Sequence, residues 1–255
     1  MQQTQPYSKL RHWNLIMALL HAIQGAIVLS ISTNFSLPVT VGYLNFNAAT
    51  QQLEPVSKTL FNLPLVYLVA AFFFMSALAH LIIATVWRGG YEQDLSRGMN
   101  RARWIEYSLS ASTMMVAIAM LVGIYELTQL IMIFVLAGVM NLMGLMMEIH
   151  NQTTKKVSWI SYIIGVIAGA IPWIVVGIYF WTASAYGSGN IPTFVYWIYL
   201  SIFLFFNCFA VNMVLQYKKI GRWHDYTFGE LVYIILSLVA KSLLAWQVFA
   251  GTLRP

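Results

Sequence analysis

Charge is the scarcest resource in this chain. Asp, Glu, Lys and Arg together make up 9% of its 255 residues, whereas ordinary soluble domains carry about a quarter. That deficit excludes a soluble globular protein and any acidic or basic recognition tail. Cysteine is nearly absent. The single Cys208 lies in an apolar stretch, so neither an internal disulfide nor a cysteine metal site is expected. Long polar segments, low-complexity tracts and repeats of 20 to 50 residues are missing too, which leaves no room for a separate soluble domain and makes residues 1–255 one unit. What remains is apolar: 60% of the residues are hydrophobic and 15% aromatic.

The apolar residues fall into seven runs, near Trp13–Ile31, Leu63–Trp87, Ile105–Ile124, Leu127–Met147, Val157–Thr182, Thr193–Tyr217 and Leu231–Phe249. Each approaches the roughly 20 residues a membrane-spanning helix needs. The third and fourth are divided almost solely by Ile124-Tyr125-Glu126, and Glu126 disfavours continuation through lipid. The expected fold is therefore an all-α membrane bundle of seven helices. Its longest connection, 34–58, alternates Val39, Val41 and Tyr43 with Thr40 and Gly42, the period of a strand, and reads as a short β-hairpin outside the bilayer. The first run lacks a small-residue cleavage site and reads as a retained anchor.

The net charge of +6 suggests nucleic-acid attraction until the cations are mapped onto the loops. Seven spans put Lys9, Arg11, Arg88, Arg97, Arg101, Arg103, Lys155, Lys156, Lys218, Lys219 and Arg222 on one side, against Lys58 and Arg254 on the other. Positive loops stay in the cytoplasm, so the N-terminus is expected inside and the C-terminus outside, in a plasma membrane, with lipid rather than nucleic acid as partner. The same asymmetry disfavours the seven-helix families whose N-terminus is outside.

Four titratable residues lie within the apolar runs: His21, His80, Glu106 and Lys241. Ionisable groups at such depth face a cavity or a partner. Lys241 is about 14 Å along the axis from the nearer interface, beyond the reach of its stem. It must be neutral, paired or covalently modified, and a desolvated lysine is the usual nucleophile toward an aldehyde. Glu106 is the carboxylate expected to pair with it, on a polar stripe of Arg103, Glu106, Ser110 and Thr113; Ser237 lies one turn from Lys241. His21 and His80, with Ser76 one turn away, sit about 10 to 12 Å from the inner surface and could accept a proton. Two histidines and one carboxylate do not require a metal, and none is expected.

At these residues the chain resembles a heliorhodopsin. The likeness is carried by Arg103-Trp104-Ile105-Glu106-Tyr107-Ser108-Leu109-Ser110-Ala111-Ser112, Pro172-Trp173, Leu204-Phe205-Phe206-Asn207, and Ser237 to Trp246 followed by Gly251-Thr252-Leu253. The resemblance implies all-trans retinal bound to Lys241 as a protonated Schiff base, Glu106 as counterion, a proton-accepting group of His21, His80 and Ser76, a homodimer, and a slow photocycle suited to sensing. Tyr107, Ser110, Trp173, Phe206, Ser237 and Trp246 are the pocket residues expected around the polyene. Microbial proton pumps place further carboxylates where this chain has Ala117 and Ser237, so a light receptor without pumping or enzymatic activity, signalling to an unidentified cytoplasmic partner, is the expected function. A light-gated proton or cation conductor is the alternative. Gly165 and Gly169 form a small-residue face for close helix contact, and Pro172 is expected to kink its helix.

Overall fold

The computed structural model describes residues 5–187 and 191–255. Its elements are α1 (Gln5–Ile31), β1 (Ser36–Asn47), β2 (Gln52–Pro64), α2 (Leu65–Ala84), α3 (Arg88–Ser96), α4 (Arg101–Leu121), α5 (Leu127–His150), α6 (Ile160–Tyr186), α7 (Thr193–Tyr217) and α8 (Tyr226–Val248), with a π-helical turn at Phe249–Leu253. All but α3 among these helices are long and apolar enough to cross a membrane. Apolar side chains cover their outer faces, as lipid requires, with Ile131, Ile163, Ile174 and Trp197 each more than half exposed.

Around the bundle, α1 packs on α2 and α8, α2 on α4, α4 on α5, α5 on α6, and α7 on α8. Helix α4 also touches α6 and α7. With 67% of its apolar window buried, α4 is the central helix, and its lower hydropathy reflects the polar residues it turns inward. Asn100 caps it, accepting a hydrogen bond from the Arg103 amide at 3.0 Å. The close approach of α6 to α5 needs glycine: a Cβ on Gly165 would lie 3.0 Å from Met143 Cβ and 3.2 Å from the Met140 carbonyl oxygen.

The hairpin is longer than its sequence suggests, with strands of 12 and 13 residues paired antiparallel around a bulge between Val39 and Thr40. At the bulge it docks on the turn between α4 and α5. The Thr40 amide donates to the Tyr125 carbonyl oxygen at 2.8 Å, and Val39 enters the main core. Glu126 lies in that turn, just before α5, its carboxylate 3.5 Å from the Thr40 hydroxyl. Burial pushes the Tyr125 phenol above the usual tyrosine range. At the opposite end of the bundle, the chain between α2 and α4 forms α3, which apolar periodicity did not reveal.

Candidate functional site

Lys241 and Glu106 come together in the interior. The lysine nitrogen lies 3.4 Å from Glu106 Oε1 and donates to Ser237 Oγ at 2.8 Å. Judged by sequence position alone, Glu106 is close to the start of its helix and Lys241 near the middle of α8, which makes the meeting surprising. Helical side chains slope toward the N-terminus, and Lys241 leans one turn back onto Ser237, bringing its nitrogen nearer the level of Glu106. The Ser76 hydroxyl approaches Glu106 Oε1 to 2.5 Å and the Phe72 carbonyl oxygen to 3.0 Å. Having one proton, it donates to either, not both.

The two histidines stack with ring centroids 5.6 Å apart and planes 7° from parallel. His80 Nδ1 is 2.7 Å from Asn14 Oδ1. His21 is fully buried, and neither of its nitrogens has a hydrogen-bond partner among the described residues. Both rings are within electrostatic reach of Lys241, and His80 also of Glu106. Ser76, Glu106, His80, His21 and Lys241 thus form one polar cluster where α1, α2, α4 and α8 meet.

On its other side, Lys241 borders a narrow cavity of about 40 Å³ walled by Tyr107, Met114, Met140, Asn141, Phe206 and Phe209. The Tyr107 ring centroid is 5.2 Å from the lysine nitrogen, and its hydroxyl donates to the Tyr233 carbonyl oxygen at 3.0 Å. Trp173 stands behind Phe206, edge-on at 5.5 Å, and Trp246 donates from its indole nitrogen to Gln24 at 3.0 Å; neither lines the cavity itself. Ser110 is buried with its hydroxyl unpartnered among the described residues, unlike Ser108 and Ser112, which bond their own helix backbone. The methionines and Asn141 went unnoticed in the sequence because they look like ordinary packing residues.

The sequence reading also missed a second buried ionic group and requires correction. Glu106 is not the only carboxylate within a span: Glu148 of α5 and Glu230 of α8 are both buried. Arg103 is no free loop cation. It is buried and bridges the pair, donating through Nη2 to Glu148 at 2.5 Å and through Nη1 to Glu230. The loop asymmetry survives without it. Glu148 also receives the Asn100 amide at 2.8 Å and the Trp104 indole at 2.7 Å, and Tyr226 at 3.1 Å. Glu230 receives the Asn100 side chain at 2.6 Å.

A family profile matches residues 10–253 of this chain, and its description is heliorhodopsin. The chain belongs to the heliorhodopsin family. No curated protein matches it. Membership brings a rhodopsin-type, light-sensing function and a retinal chromophore, in a multi-pass membrane protein. The residues present suit such a group. A buried primary amine stands at the edge of a mostly apolar cavity with Tyr107, Phe206 and Phe209 in its wall, the kind of lining that small-molecule sites favour. A second space, of about 80 Å³, shares Met140, Asn141, Phe206 and Phe209 with it.

Proposed function

We propose that this heliorhodopsin is a light receptor that holds all-trans retinal covalently through Lys241, with Glu106 as counterion, and that it moves a proton internally without pumping. The observation that carries the reading is the 3.4 Å contact between the buried Lys241 nitrogen and Glu106 at the edge of the aromatic cavity. Bound as a protonated Schiff base, retinal supplies visible absorption and a light-driven change of shape.

The protein residues do the rest. Glu106 holds the positive charge at the lysine nitrogen, while Ser237 and Ser76 fix the positions of the two partners. A proton lost from that nitrogen has Glu106 next to it and the two imidazoles beyond. His21, unpartnered at rest, gives the proton a place to stay. Toward the hairpin, the interior is closed by Val28, Val69, Phe72, Met115, Ile118, Leu244 and Val248, an apolar plug among the described residues that does not favour a transported ion. The proton therefore returns the way it came, which suits a slow signalling cycle. We also infer an inside N-terminus, a homodimer and a cytoplasmic signalling partner; the family resemblance and the loop cations support these, with lipid as the surrounding medium.

The test is expression with all-trans retinal. The protein becomes coloured, hydroxylamine in light bleaches it, Lys241→Ala stays colourless, and Glu106→Gln shifts absorption to the red because the ground-state charge loses its stabilising partner. Colour that survives Lys241→Ala would refute the assignment, and so would a light-driven current, which points to a conductor instead.

A further inference from the structure

The two buried polar groups are joined by a single thread. From His80 it runs to Asn14 Oδ1 at 2.7 Å, from Asn14 Nδ2 to the Tyr91 hydroxyl at 3.4 Å, and from Tyr91 to Glu230 Oε1 at 3.5 Å. Asn14 is fully buried and Tyr91 nearly so. Tyr91 belongs to α3, on the surface at the end of the bundle, so the thread connects the proton-accepting pocket with a surface element. Burial pushes the Tyr91 phenol well above the usual tyrosine range, with the Glu230 charge adding to the effect. It therefore remains a neutral donor.

We propose that Asn14 is a positioning residue that relays the charge state of His80 to Tyr91 and Glu230, making Glu230 the light-responsive carboxylate of the second group. The argument rests on what an amide and an imidazole can each donate or accept. A neutral imidazole offers either a donor or an acceptor at Nδ1, depending on its tautomer, so the Asn14 amide can lie either way round. In the orientation the structure shows, Asn14 donates to the Tyr91 oxygen and the Tyr91 proton points at Glu230. In the other, Asn14 Oδ1 takes the Tyr91 proton and Glu230 loses that donor. A protonated imidazole is a donor at both nitrogens. It admits only the first orientation, and Tyr91 is then fixed onto Glu230.

Distances single out the responding members. The two Tyr91 contacts, at 3.4 and 3.5 Å, are the loosest in the thread, leaving the phenol uncommitted between its neighbours. Glu148 is saturated by Arg103, Trp104, the Asn100 amide and Tyr226 and has nothing to gain. Among the described residues, Glu230 has only Arg103 and Asn100 as close donors. Other charged or titratable groups facing this region are Tyr107, Tyr217, Tyr226, Tyr233, whose ring lies 4.0 Å below the Arg103 guanidinium, and Asp94, which Arg101 holds at 2.9 Å.

The inference rests on the light-receptor reading and can fail separately from it. Infrared difference spectra, illuminated minus dark, are recorded on the full-length pigment at the time when the Lys241 nitrogen has lost its proton. Wild type shows a carboxyl band that Glu230→Gln removes. Tyr91 touches neither Lys241 nor the cavity, so Tyr91→Phe keeps the colour; it abolishes the Glu230 band, as does Asn14→Leu when amplitudes are scaled to the deprotonated nitrogen. A Glu230 band at wild-type amplitude in both variants overturns the proposal, and so does its absence from a wild type that loses the nitrogen proton normally. A wild type that never becomes coloured overturns the receptor reading and the relay with it.

Discussion

Arg103 shows how much depends on a single side chain. Removing one member of a buried ion group strands the others without compensation, at a cost of about 3 to 5 kcal/mol. Arg103→Met is therefore expected to lower the unfolding temperature sharply. Replacing Glu148 and Glu230 by leucine in the same chain should restore most of the loss, because no charge of that group is then left buried without a partner. Thermal unfolding followed by circular dichroism in detergent checks both. The residue scale is also where the sequence was most and least informative. Lys241 and Glu106 stood out because a charge within an apolar run has no ordinary explanation. Glu148, Glu230 and Arg103 lie at the ends of their runs, where any membrane helix carries charge. Their burial comes from how α4, α5 and α8 close on each other, which no single segment encodes.

Among the elements, the spans were legible from apolar length, and α7 begins and ends where its apolar run does. Helix α8 starts five residues before its run, since Tyr226 to Glu230 are helical and protein-covered rather than lipid-covered. The sequence Arg-Gly-Gly-Tyr-Glu-Gln-Asp-Leu-Ser of α3 carries two glycines and little apolar periodicity, so it gave no helical signal; packing of Tyr91 and Leu95 against the bundle holds it. The interface of α5 and α6 is sensitive to volume. Gly165→Val would press on Met143 and the Met140 backbone, and Met140 walls the cavity beside Lys241. The variant is expected to lose about 1 to 3 kcal/mol through overpacking and to shift the absorption maximum, both measurable on purified pigment.

For the whole molecule, ten loop cations remain on one side once Arg103 is removed from the count, so the inferred orientation stands. A protease added to intact cells should remove a tag fused to the C-terminus and spare one fused to the N-terminus; the opposite pattern would reverse every statement about inside and outside. The stacked imidazoles set a limit on what such a receptor can report. Two positive charges 5.6 Å apart repel by about 3 kcal/mol at an effective dielectric constant near 20, so under the proposed function the pair stores one proton at a time. Light arriving before that store empties adds nothing to the tally. In sustained bright conditions each copy behaves as a timer with a fixed reset, registering that illumination persists rather than how intense it has become.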